Sequence, residues 1–252
     1  MINLKSPADI ERMAESGAIT AKALKGVLSK AQVGVSLAEL DKLAESLIRD
    51  SGATPSFQTV AEYRFATCLN VNEGVVHGVP DQYCLKEGDV FSVDLGALYQ
   101  GWHTDSAWTV VIGDKASPET QKFLKTGELA LEETLRLCQA GRDVSDLSKS
   151  IQSIVEGQGY SVSRDLVGHG VGKALHEDPQ IPGFMEKREP KIELKNGMVL
   201  AIEVIYMMGE SPIIVDEKDG WTISTEDGSI AALFEHTVAI TADGPVVLTK
   251  WQ

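Results

Sequence analysis

Leu85-Lys-Glu-Gly-Asp-Val-Phe-Ser-Val-Asp94 and Leu194-Lys-Asn-Gly-Met-Val-Leu-Ala-Ile-Glu203 nearly repeat each other, and each ends on a carboxylate. Each reads as a turn at its glycine followed by an apolar strand that carries one acid inward. An ionised carboxylate in a buried strand must find a cation or take up a proton, because the interior does not solvate it. Two matching strands that each deliver one acid point to a shared cation.

The repetition continues on both sides of these strands. Gly34, Leu40, Lys42 and Gly52 recur at a constant displacement as Gly141, Leu147, Lys149 and Gly159, which argues for a duplicated unit. Ser6-Pro7-Ala8-Asp9 and Ser117-Pro118-Glu119 each start a helix, with Ser as N-cap, Pro at the first helical position and acid in the first turn. Ile10, Met13, Ala14, Ala21, Leu24 and Leu28 continue the first at helical spacing. Ser36-Leu-Ala-Glu39 is a capping box opening a second helix through Leu40, Leu43, Leu47 and Ile48, and residues 144–155 are its counterpart. Each half is therefore helix, helix, then strands. The fold class is α+β, an antiparallel sheet backed by helices, in one domain over residues 1–252 whose halves span about 6–111 and 117–250. Halves packed about a pseudo-twofold axis would bring Asp94 and Glu203 together.

At 252 residues the chain is long enough to bury a full core. Its formal charge of −14 disfavours nucleic acid and anionic membrane as direct partners, since phosphate recognition wants a basic face. No signal-type apolar core follows Met1, and no stretch approaches the roughly 18 apolar residues of a membrane span, so the expected location is the cytoplasm. Cys68, Cys84 and Cys138 are odd in number and widely spaced, which predicts free thiols rather than a disulfide framework or a thiolate zinc site.

Beyond Asp94 the chain runs through a Gly-bearing turn to Asp105, and a turn centred between Tyr99 and Gln100 would set the two aspartates directly opposite each other. Like charges facing across a hairpin need a compensating ion. In the second half, Glu235 opens an apolar strand as Asp105 does. Four such acids balance two divalent cations. Imidazole is available from His169 and His176 in Gly168-His-Gly-Val-Gly-Lys-Ala-Leu-His176, and from His77 in Gly74-Val-Val-His-Gly78. One histidine among several carboxylates suits Mn, Fe(II), Co or Zn better than Ca or Mg.

His77, Asp94, Asp105, the Gly-His-Gly around His169, His176, Glu203 and the Phe-Glu-His-Thr around Glu235 together resemble methionine aminopeptidase of the bacterial type I class, in register from about residue 3 to 250. The resemblance implies the pita-bread fold with a dinuclear metal centre. It makes Asp94, Asp105, His169, Glu203 and Glu235 the ligands, with Asp105 and Glu235 bridging. It also makes His77 and His176 substrate-facing, and Tyr63, Cys68 and Trp221 the methionine pocket. Glu203 would shuttle a proton, His176 would donate to the carbonyl oxygen, and His77 would orient the amide. The implied activity is removal of N-terminal methionine from nascent polypeptides with a small second residue, by a monomer, with transient ribosome association a family expectation.

Leu175 stands where the family commonly has an aromatic, Phe57 and Val60 replace other pocket residues, and Val204 stands where Pro is usual. His103 and His236, beside two of these acids in the sequence, read as supporting or sheet residues rather than ligands, and Trp102, Trp108 and Trp251 as packing. Two alternatives carry distinct chemistry: an Xaa-Pro peptidase on the same fold, and a binding module of that fold without catalysis.

Overall fold

The computed structural model describes residues 2–185 and 191–251. Its first half holds α1 (Pro7–Lys30), α2 (Leu37–Asp50), β1 (Thr54–Pro55), β2 (Thr67–Val71), β3 (Gly74–Val76), β4 (Val90–Tyr99) and β5 (Trp102–Val111). The second half holds α3 (Pro118–Leu137), α4 (Val144–Gly157), β6 (Ser161–Val162), β7 (Val167–Gly170), β8 (Glu177–Pro182) and β9 (Val199–Met207). It continues with β10 (Ile213–Val215), β11 (Ile223–Thr225), β12 (Ala231–Thr241) and β13 (Gly244–Val247).

The helix starts lie where the sequence puts them. Ser6 and Ser36 each accept from the third backbone N–H of their helix while Asp9 and Glu39 reach back to the cap, and Ser117 caps α3. On α2 the buried Leu40, Ala44 and Ile48 recur at four-residue spacing and face the core. Helix α1 packs on β4 and β5, and α3 packs on β9 and β12. The acid-bearing strands are thus each covered on one face.

Strands β1, β4 and β2 pair in that order with β5 on the other edge of β4, and β13, β12, β9, β7 and β8 form the second sheet with β6 against β9. All of these pairings are antiparallel. A third, small sheet of β10, β11 and β3 joins the halves. Where β5 meets β12, side-chain hydroxyls do the joining. Thr237 Oγ1 accepts the Asp105 N–H at 2.9 Å and donates to the Asp105 carbonyl at 2.8 Å. Ser106 Oγ donates to the Glu235 carbonyl at 2.8 Å. Thr109 Oγ1 donates to the Leu233 carbonyl at 2.7 Å and accepts its N–H at 3.0 Å.

One register differs from the sequence reading. Asp94 pairs with Ala107 and Asp105 with Gly96, so the two aspartates lie two positions apart on the same face rather than directly opposite. The turn is formed by Gln100 and Gly101, both left-handed at φ 51° and 79°. That is the primed two-residue turn whose twist matches antiparallel strands, and it centres the hairpin one residue later than Tyr99–Gln100.

Candidate metal centre

Strands of both halves deliver the acids to one cavity. Asp94 comes from β4, Asp105 from β5, Glu203 from β9 and Glu235 from β12, while β7 brings His169. Glu203 and Glu235 are direct cross-strand partners. His169 pairs with Ala201, one strand over. The glycines flanking His169 let this layer close up. A Cβ at Gly168 would lie 2.7 Å from the Ala201 carbonyl oxygen, and one at Gly170 would lie 2.2 Å from that of Asp178. Gly-His-Gly here is therefore a packing requirement, with the imidazole as the one side chain admitted.

The cavity has a volume of about 320 Å³, and it is lined by Asp94, Asp105, His169, Glu203, Glu235, His77, His176, Tyr63, Cys68 and Trp221. Phe57, Val60 and Leu175 also line it, as do Val76, Ile205 and the segment 165–167, which the sequence did not single out. No lysine or arginine is among the described lining residues.

Ligand atoms of Asp105, His169 and Glu235 lie within 4.8 Å of one another. Glu203 Oε1 stands 3.9 Å from His169 Nε2, the two side chains being 12% and 10% exposed. Asp94 Oδ1 and Glu235 Oε1 are buried with no hydrogen-bond partner. Orphaned carboxylate oxygens in a site without a cationic side chain are costly, and a divalent ion satisfies them. The residues present fit such an ion.

The electrostatics agree. Burial, with Asp105 and Glu203 nearby, drives the Asp94 carboxyl well above its ordinary range, and burial likewise raises Glu203 and Glu235 against their acidic neighbours. Asp105 is pushed up to about 7 by burial, opposed by the Ser106 N–H that its Oδ1 accepts at 3.0 Å. Burial lowers His169 to about 4, so its imidazole is neutral at neutral pH. His169 Nδ1 lies 2.9 Å from the Gly170 carbonyl oxygen, which fixes the proton there and leaves the Nε2 lone pair facing the acids.

At one end of the cavity Phe57, Tyr63, Cys68 and Leu175 form an apolar cluster, with Val60 and Trp221 against it. The Tyr63 and Trp221 rings meet edge to face at 5.0 Å. His77 is held in a left-handed backbone at φ 57°, a cost met mainly at functional positions, and burial lowers its pKa. His176 lies on the exposed rim, its ring 4.5 Å from that of His169.

His103 and His236 are tied elsewhere. His103 Nδ1 lies 3.0 Å from Ser56 Oγ, and His236 Nδ1 lies 3.0 Å from Thr249 Oγ1 and 3.3 Å from Ser106 Oγ. Through Ser106, which holds the Glu235 carbonyl, His236 supports the acid beside it. Trp108 packs edge to face on Phe234 and Trp251, and Trp102 is buried beside Met13 and Val199. The cysteines are free, Cys68 and Cys138 buried and Cys84 exposed.

Residues 11–242 match metallopeptidase family M24. The chain is 42% identical over 251 residues to methionine aminopeptidase 1 of Bacillus subtilis (strain 168), covering 99% of this chain and 100% of that protein. The crystal structure of methionine aminopeptidase from Thermotoga maritima superposes with a TM-score of 0.95 at 40% identity, over 99% of this chain and 100% of that one. Prolidase from Pyrococcus furiosus shares the fold with a TM-score of 0.80 at 24% identity, with 66% of its chain covered.

Proposed function

The chain belongs to metallopeptidase family M24, and from that premise we propose that its cavity removes the N-terminal methionine of peptides and nascent proteins whose second residue is small. It is a methionyl aminopeptidase, a metal-dependent hydrolase. The observation that carries the reading is the convergence of uncompensated buried carboxylates with a neutral imidazole beside an apolar pocket.

Asp94, Asp105, His169, Glu203 and Glu235 are the side chains that would hold two divalent ions, drawn from Mn, Fe(II), Co and Zn. Such a pair supplies Lewis acidity and lowers the pKa of water from 15.7 toward roughly 7. The side chains of this protein do the rest. The cluster of Phe57, Tyr63, Cys68, Leu175 and Trp221 takes the methionine side chain, where sulfur against aromatic rings is a favourable contact. Glu203, the one of the four acids that is only part-buried, accepts the proton of the attacking water and passes it to the leaving nitrogen. His176 on the rim donates to the carbonyl oxygen as charge develops there, and neutral His77 orients the scissile amide. Convergence of these groups on one amide leaves little room for the second side chain, which explains a preference for Gly, Ala or Ser there.

No helix among the described residues is long and apolar enough to cross a membrane. The proposed setting is the cytoplasm, the proposed active form a monomer, and any ribosome contact transient.

Release of methionine from Met-Ala-Ser, with and without chelator and restored Mn(II), tests the reading. Loss on chelation and recovery with metal are expected, together with poor cleavage of Met-Leu-Ser. Equal cleavage of the two peptides defeats the size gate, and a requirement for Pro at position two points to the prolidase-like alternative.

A further inference from the structure

Lys5 and Glu177 form an ion pair at 2.7 Å with side chains only 3% and 7% exposed, far in sequence from each other and outside the proposed ligand set. Isolated pairs on this surface, such as Lys125–Glu128, are open to water by comparison. Each oxygen of Glu177 has its own task. Oε2 accepts Lys5 Nζ, while Oε1 accepts the backbone N–H groups of Lys173 at 2.7 Å and Ala174 at 3.2 Å. The loop so gathered runs from Gly172 to Glu177 and carries Leu175 of the apolar pocket and His176 of the rim. Its start is pinned by the His103 N–H on the Gly172 carbonyl at 2.8 Å. Its packing is close: a Cβ at Gly172 would lie 2.6 Å from Lys5 Cε and 2.7 Å from Glu177 Oε1.

The other end of the strut is equally fixed. The Lys5 N–H donates to the Gly197 carbonyl at 2.7 Å, and Gly197, left-handed at φ 92°, closes the turn from which β9 carries Glu203 inward. Lys5 therefore connects the turn before one catalytic carboxylate to the loop that presents His176.

We propose that Lys5 and Glu177 are positioning residues for His176, holding the 172–177 loop so that the imidazole meets the scissile carbonyl. This rests on the role given above to His176. A buried pair that only stabilised the fold would change melting temperature and leave the chemical step alone. A pair that sets the aim of one group acts through that group, and small misplacement of a reacting group costs rate steeply.

The test is a double-substitution cycle on the metal-loaded enzyme with Met-Ala-Ser. Lys5→Met is expected to lower kcat roughly 10- to 100-fold with little change in KM and unchanged metal content. Combined with His176→Ala it should be no slower than His176→Ala alone, because the strut has nothing left to aim. Arg136→Met, which breaks an exposed pair with Glu132 and Glu133, serves as the control and should leave kcat unchanged. If Lys5→Met does not fold, Glu177→Gln keeps an oxygen for Lys173 and Ala174 and enters the same cycle. Full additivity with His176→Ala, or an altered melting temperature with kcat within twofold of wild type, overturns the strut while leaving the role of His176 intact. A His176→Ala enzyme of wild-type rate overturns that role and the strut with it.

Discussion

The β4–β5 hairpin and the β9–β12 pair hold corresponding places in the repeat proposed from the sequence, yet they set their acids differently. In the hairpin Asp94 faces Ala107 and Asp105 faces Gly96, so the carboxylates are diagonal neighbours. In the second pair Glu203 faces Glu235 directly. The hairpin closes through a two-residue turn, whereas β9 and β12 are joined through β10, β11 and the loop carrying Trp221. Directly opposed like charges repel more strongly than diagonal ones, which stand roughly 7–8 Å apart at Cα. At the carboxylates themselves the difference closes, because beyond burial Asp105 is the leading neighbour that raises Asp94, Glu203 and Glu235 alike, so both halves share the demand for a cation. The longer connection also supplies β11, whose pairing with β3 brings the Trp221 side of the pocket beside His77.

The largest effects should come from the buried acids. Glu235→Gln and Asp94→Asn are each expected to abolish turnover and reduce metal content, since each removes a proposed ligand. Without metal the two should behave alike. Each removes a buried carboxylate that burial and Asp105 raise, so each should raise the melting temperature of the metal-free chain near pH 8. Calorimetry of both variants after chelation reads this, and a lower melting temperature in either would say that its charge is no burden on the metal-free fold.

His176→Ala should lower kcat by about 10² with metal content intact, because its contribution appears mainly in the transition state. Stopped assays with metal analysis of the same sample decide this, and loss of metal would instead make His176 a ligand.

Metal-free protein should also show a pH slope. Burial holds Asp105 near 7 in the folded state, above its unfolded value of about 3.9, so the folded chain binds the additional proton. The stability this group contributes is complete below the unfolded value and is lost as pH rises toward about 7. Melting temperature after chelation should therefore fall across that window, and bound Mn(II) should flatten the slope. A rise over the same window in the chelated protein would contradict the raised value.

The smallest effect concerns the pocket. Leu175 sits beside Phe57, Tyr63 and Cys68 and leaves one wall aliphatic. Leu175→Phe should sharpen the preference for methionine over leucine or norleucine at position one, within the roughly 1–3 kcal/mol that hydrophobic pockets discriminate. Ratios of kcat/KM for Met-Ala-Ser and Leu-Ala-Ser measure it, and an unchanged ratio removes Leu175 from selectivity.

Features set by neighbours in the chain were legible in the sequence: the Ser6, Ser36 and Ser117 caps, the apolar strands that carry Asp94 and Glu203, and the Gly-flanked His169. The hairpin register lies one turn position beyond the one centred on Tyr99 and Gln100, although Gln100-Gly101 holds the signal, a glycine at the second turn residue. What escaped depends on partners far apart in the chain. Ser106 holding Glu235 spans 129 positions, Thr237 holding Asp105 spans 132, and Lys5 reaching Glu177 spans 172. Hydroxyls and a lone lysine carry no periodicity that would single them out.

Calorimetric titration of the metal-free chain with Mn(II), with methionine release from Met-Ala-Ser followed on the same samples, bears most directly on the joint site. Uptake saturating at two ions per chain is expected, with activity appearing only as metal binds and with both lost in Glu235→Gln. Full-rate methionine release from the chelated chain would contradict a metal centre built from the acids of both halves.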